Sequence, residues 1–155
     1  MASRNYQTEH DTIMRYAQVA AELESVDYLD RPTVSDPEAA YELLAPILRD
    51  ADREHCVVIM LDTKHRVLNV RLNSVGSHCN TFMSAREIYR DALADNAAAI
   101  AVAHNHPSGD CKPSGDDIAV TERLVKAGKL VGIELLDHLV IGVEGFVSMA
   151  RDGLI

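Results

Sequence analysis

Apolar residues recur at helical spacing in some segments and run continuously or alternate in others, and these switches divide the chain into elements. A helix is expected around Thr12–Leu23, followed by a turn-rich stretch, Ser25–Pro37, with two prolines. Asp36-Pro37 is a good N-cap and first helical position. Ala40, Leu43, Leu44, Ile47 and Leu48 then follow helical spacing, although Pro46 is expected to kink or shorten that helix. Cys56–Leu61 (CVVIML) is a continuous apolar run and Val67–Leu72 (VLNVRL) alternates. With Asp62–Arg66 as the turn, the pair reads as a β-hairpin. Ser84 opens another helix, with Ala85, Ile88, Tyr89, Ala92 and Leu93 on one face and Ser84-x-x-Glu87 as a capping box. Ala98–Ala103 (AAIAVA) is a short buried strand, and His104–Gly115 a loop rich in Pro, Gly and Ser. A helix from Asp116 to Lys126 is expected to stop at Gly128. Gly132–Gly142 is a long strand and Gly145–Ala150 a last hairpin arm. The order α–β–β–α–β–α–β–β describes an α/β domain with a mixed sheet.

Composition narrows the class. With 155 residues, the chain has one domain's worth at roughly 100–200 residues per domain. Its 47% hydrophobic and 25% charged residues are those of an ordinary globular protein. Lys+Arg 15 against Asp+Glu 24 leaves a formal net charge of −9. A non-specific nucleic-acid binder needs the opposite sign to neutralise phosphates, so direct DNA capture is not expected. Residues 1–53 hold eleven acidic and five basic residues, and the first 35 read as a helical arm preceding a domain over 36–155. Cys56, Cys79 and Cys111 lie far apart and form no C-x-x-C pair, which is not a disulfide framework. No apolar stretch reaches the ~18–20 residues of a membrane span, and the N-terminus lacks a signal-peptide core. The expected compartment is the reducing cytoplasm.

The chemistry is concentrated in Ala103–Asp117, AHNHPSGDCKPSGDD, directly after a buried strand. His104 and His106 are two apart, so on extended backbone both imidazoles project to one side and Asn105 to the other. Pro107, Gly109 and Pro113 shape a loop that can return Asp117 as a third ligand. Two histidines and a carboxylate leave one of zinc's four positions open, as a catalytic rather than a structural site requires. Water in such a position is acidified toward neutrality, and a carboxylate outside the ligand set is then needed to carry its proton. Neither H-E-x-x-H nor the H-x-E…P-C-x-x-C deaminase pattern is present. The literal string His-Asn-His is no evidence for an HNH nuclease.

His104-x-His106, seven residues, Ser114, two residues, Asp117 matches the JAMM (MPN+) metalloprotease motif without a gap. The surrounding text, SAREIYRDALADNAAAIAVAHNHPSGDCKPSGDDIAVTERLVKAGKLVGIELLDHLVIG, resembles the C-terminal domain of the RadC family over about Asp36–Ile155. The resemblance implies a JAMM/MPN-like fold, cytidine-deaminase-like in architecture, with a mixed sheet flanked by helices. It implies Zn2+ on His104, His106 and Asp117, and Ser114 as the group that stabilises the oxyanion. It also implies a catalytic glutamate upstream: Glu54, at the start of the EHCVVIML strand, is the choice and Glu87 the rival. RadC proteins usually carry an N-terminal helix-hairpin-helix region. Residues 1–35 are too short for one, so the chain resembles the short RadC-like proteins of prophages and plasmids.

Competing readings of the same residues remain. Ser114-x-x-Asp117 is also a capping box; the two roles are compatible in principle, although a zinc-bound carboxylate has less freedom to cap. Adjacent strand residues face opposite ways, which splits Asp137 from His138 and gives His138 a structural role. Cys111 reads as a tolerated loop residue. The leading expectation is a zinc-dependent hydrolase of amide bonds acting on a protein or peptide substrate. Its rivals are a DNA repair or recombination accessory protein acting through partners, and a catalytically silent, metal-stabilised interaction module. No sequence feature sets the oligomeric state.

Overall fold

The computed structural model describes residues 6–76 and 83–155, so Cys79 lies outside the described residues. Helix α1 spans Glu9–Ser25, and a single 3-10 turn covers Tyr28–Asp30. Helix α2 (Pro37–Leu48) leads into strands β1 (His55–Leu61) and β2 (Val67–Val75). Then come α3 (Ala85–Ala94), β3 (Ala99–Asn105), α4 (Gly115–Val131), β4 (Glu134–Ile141) and β5 (Phe146–Ser148). One sheet runs in the order β2-β1-β3-β4-β5. Among the described residues its one parallel strand pair is β3/β4, joined by the α4 crossover, and the other neighbouring strands are antiparallel.

β1 and β3 lie at the centre and are buried at every residue. Successive side chains on a strand alternate faces, so a central strand covered on both sides reads as an unbroken apolar run. Val57, Ile59, Leu61, Ala101 and Ala103 pack with Leu44, Ile47 and Leu48 of α2. Cys56, Val58, Met60, Ile100 and Val102 pack with Ile88 and Tyr89 of α3 and Val120 and Leu124 of α4. The result is three layers, helix–sheet–helix, as the mixed α/β pattern predicts.

α1 lies on α2, with Leu23 in the same core as Leu44. Residues just before it are tied down as well: the Gln7 amide donates to the Asp50 carbonyl, and the Asp52 amide to the Gln7 carbonyl. The helix begins at Glu9, earlier than the apolar spacing indicates, because Thr8 and Asp11 form a reciprocal capping box.

Several local expectations are corrected. α2 runs through Pro46 to Leu48, and the Arg49 amide still donates to the Ala45 carbonyl. Ser84 precedes α3 but makes no side-chain cap, so the Ser84–Glu87 capping box does not form. His104 and Asn105 belong to β3 rather than to the loop.

Gly128 does not end α4, which continues to Val131 and stops at Gly132 in the left-handed region (φ 78°). Gly128 has a different use. A Cβ there would stand 2.4 Å from the Ile133 carbonyl oxygen and 2.5 Å from the Tyr89 hydroxyl. Its absence lets α4 close on α3 and on the turn into β4. We expect Gly128→Ala to lower stability by ~1–3 kcal/mol through overpacking, even though alanine favours a helix by about 1 kcal/mol. Urea unfolding would show this, and a variant as stable as wild type would refute the packing role.

Candidate metal centre

The centre forms where the C-terminal end of β3 meets the first turns of α4. In open α/β sheets this is where a loop leaves the strand and side chains stay uncovered by the core. His104 is fully buried between β1 and β4, opposite Cys56 on one side and Val140 on the other. His106 follows two residues later on the same side, as the alternation predicts. Its amide donates to the Ile141 carbonyl, holding the loop against β4.

Three donor atoms converge. His104 Nε2 and His106 Nε2 stand 3.0 Å apart, and the Asp117 carboxylate oxygens lie 3.2 Å from the first and 3.3 Å from the second. Donors held about 2.0–2.1 Å from a tetrahedral zinc are separated by about 3.3 Å. Histidine nitrogens and a carboxylate at these separations fit a zinc-like divalent cation.

Ser114 and Asp117 also cap α4 reciprocally. The Asp117 amide donates to Ser114 Oγ (3.1 Å), and the Ser114 amide to Asp117 Oδ2 (2.7 Å). Capping and presentation to the histidines are therefore not alternatives. The cap fixes the carboxylate that faces the imidazoles.

Burial works against the Asp117 carboxylate, but the neighbouring His104 and His106 rings and the Ser114 amide outweigh it. Its carboxyl is held well below the usual range. The same carboxylate raises His106 above the ordinary histidine value, against the effect of burial.

Each histidine has its second ring nitrogen engaged. His106 Nδ1 donates to the Asp110 carbonyl at 2.8 Å. His104 Nδ1 lies 2.8 Å from His138 Nε2, and His138 Nδ1 lies 2.6 Å from Thr121 Oγ1. Such partners behind the ligands fix ring orientation and tautomer. His138 is wholly buried, and burial followed by the nearby His104 pushes its affinity for a proton well down. His138 thus stands directly behind His104, a contact the sequence reading missed. The available signals were a histidine inside an apolar strand and a threonine one turn after Asp117. Asp137 faces away, accepting from the Ser148 hydroxyl and from the His138 and Ala150 amides.

Glu54 immediately precedes β1 and is 8% exposed. Continuing the β1/β3 register beyond Cys56 and His104 puts it across from His106, and its charge contributes to raising that imidazole. Asn105, on the opposite side of β3 from the two histidines, grips the backbone on both sides of Glu54. Its Oδ1 accepts from the His55 amide at 2.8 Å, and its Nδ2 donates to the Arg53 carbonyl at 3.0 Å. Glu87 is exposed on α3. Cys111 lies partly buried in the loop, and Cys56 is a buried thiol pushed up to about 12 by desolvation.

A family model described as the RadC-like JAB domain matches residues 34–154. The chain belongs to the RadC family. Similar proteins include one from Methanosarcina mazei, 38% identical over 145 residues, which cover 90% of this chain and 63% of that protein. Another, from Desulforudis audaxviator, is 45% identical over 124 residues, 80% of this chain and 54% of its own length. A third, from Shouchella clausii, is 42% identical over 125 residues, 81% and 54% of the two chains. All three are named only as UPF0758 proteins. The matches span roughly half to two thirds of these relatives. Among the described residues, no helix of this RadC-like domain is long and apolar enough to cross a membrane.

The buried imidazoles give the metal-free chain a pH dependence. His138 and His55 have folded values below that of an unfolded histidine, in both cases chiefly through burial. Their contribution is therefore present above pH ~6.5 and lost as pH falls, because the unfolded chain takes up protons that the folded chain refuses. His106, with a raised value, opposes this: its contribution is complete below pH ~6.5 and fades as pH rises through the folded value. With two groups against one, the urea midpoint of EDTA-treated protein should fall between pH 7.5 and 5.5. A midpoint that stays level or rises would contradict the assignment.

Proposed function

We propose that this RadC-like domain is a zinc-dependent hydrolase of amide bonds, a metallopeptidase or isopeptidase acting on a protein or peptide. The observation that carries the reading is the convergence of His104 Nε2, His106 Nε2 and the Asp117 carboxylate, with the buried Glu54 opposite His106 where the β1/β3 register is continued. His104, His106 and Asp117 would hold the ion. When bound, zinc supplies the Lewis acidity that makes water a nucleophile at neutral pH and polarises a carbonyl.

The protein's own groups do the rest. Glu54, outside the ligand set, accepts the proton from the attacking water and delivers it to the leaving amine. Its place across from His106, with the flanking backbone gripped by Asn105, supports that role. Ser114 Oγ accepts from the Asp117 amide, which leaves its own hydroxyl proton to donate to a developing oxyanion. The net charge of −9 weighs against a direct hold on DNA. On this reading the protein works in the cytoplasm, where Cys56 and Cys111 remain free thiols.

Elemental analysis after dialysis against a weak chelator tests the centre. About one zinc per chain is expected in wild type, with loss of the ion in His104→Ala. A folded wild type that neither retains nor rebinds Zn2+ would refute it. Activity is tested by a peptide and isopeptide screen in which Glu54→Gln lowers turnover by roughly 10²–10⁴-fold while zinc content is unchanged. Equal turnover in Glu54→Gln would remove Glu54 from the mechanism. Zinc-loaded protein with no turnover on any substrate would favour a metal-stabilised interaction module.

A further inference from the structure

His104 can offer Nε2 to a metal as a lone pair only if its single ring proton sits on Nδ1. The groups behind it decide that placement, and their chemistry allows one order. The Asp117 backbone carbonyl can only accept, and it lies 2.6 Å from Thr121 Oγ1, so the one hydroxyl proton goes there. The nearby Met149 sulfur, 3.6 Å from the same hydroxyl, is a farther and weaker acceptor. Thr121 Oγ1 then has only lone pairs for His138 Nδ1, 2.6 Å away, so that nitrogen must be the donor. A neutral imidazole with its proton on Nδ1 accepts at Nε2. His138 Nε2 is 2.8 Å from His104 Nδ1, which therefore donates, leaving His104 Nε2 bare and directed toward His106 and Asp117.

We propose that Thr121 and His138 form a proton-ordering relay that sets the His104 tautomer for metal ligation, acting as positioning residues of the metal centre. Geometry and burial together support this. Thr121, His138 and His104 are each 0% exposed, so no bulk water reassigns the protons. The relay also begins and ends on one residue: the Asp117 carbonyl anchors it, and the Asp117 carboxylate faces the nitrogen it prepares. Asp117 and Thr121 are one helical turn apart on α4, above His104 and His138 on neighbouring strands. His106 needs no such relay, because the Asp110 carbonyl fixes its proton directly.

The inference rests on the metal-centre reading, and two measurements separate their fates. Long-range proton–nitrogen NMR of the metal-free 155-residue chain should show His138 as the Nδ1–H tautomer. Thr121→Val keeps the branched shape and removes the hydroxyl, so competition against a chromophoric chelator should show Zn2+ affinity weakened by about 10–100-fold. Thr121→Ser should restore it. Should Thr121→Val fail to fold, the wild-type spectrum and Thr121→Ser, binding as wild type does, carry the test. An Nε2–H tautomer at His138, or folded Thr121→Val binding Zn2+ as tightly as wild type, overturns the relay. Wild type that binds no Zn2+ overturns the metal centre itself, and the tautomer spectrum then judges the relay alone.

Discussion

Packing α4 across the parallel pair β3/β4 brings four polar side chains into a volume that the core has otherwise dried out. Asp117 and Thr121 descend from one face of the helix, and His104 and His138 rise from adjacent strands beneath them. Buried polar groups are costly unless each finds a partner of the right donor or acceptor character. The arrangement meets that demand by alternating donors and acceptors, and the atoms left over are lone pairs pointing to one place. The requirement to satisfy buried groups and the proposed hold on a cation thus draw on the same set of hydrogen bonds.

The rest of the fold supports that corner. β1 and β3 are covered on both faces, and their register puts Cys56 beside His104. Asn105, on the other face of β3, holds the Arg53–His55 backbone and with it the position of Glu54. One strand end therefore organises both the candidate metal ligands and the carboxylate proposed to work with them, using the two faces of a pleated backbone for different tasks. α1 and the residues before it add packing to α2 and reach the loop itself, where the Tyr6 hydroxyl donates to the Pro107 carbonyl.

Most of the secondary structure was legible in the chain before any fold. Periodicity marked the helices and strands, because apolar residues must reach a core at intervals of 3.6 or 2. The errors fell where a residue type serves more than one purpose. Glycine at 128 resembles a helix stop, but it is there for close approach to Tyr89 and the Ile133 carbonyl. Ser84-x-x-Glu87 has the letters of a capping box without its hydrogen bonds, whereas Thr8-x-x-Asp11, which was not singled out, forms one. Local letters permit a cap, and the entry angle imposed by packing decides whether it closes.

At the centre the same division holds. The i, i+2 histidines on an extended strand, followed by a serine and an acid at a helix start, point to a metal by short-range geometry alone. Their spacing dictates which side chains share a side. His138 and Asn105 could not be reached that way. His138 stands behind His104 only because β4 pairs parallel to β3 under α4, and Asn105 grips the backbone around Glu54 only because β1 lies antiparallel on the other side. Sequence by itself pointed to the groups proposed to carry the chemistry and determined how neighbours along one element face. Tertiary structure decided which distant groups complete the hydrogen bonds, because strand order and helix docking depend on how the whole core closes.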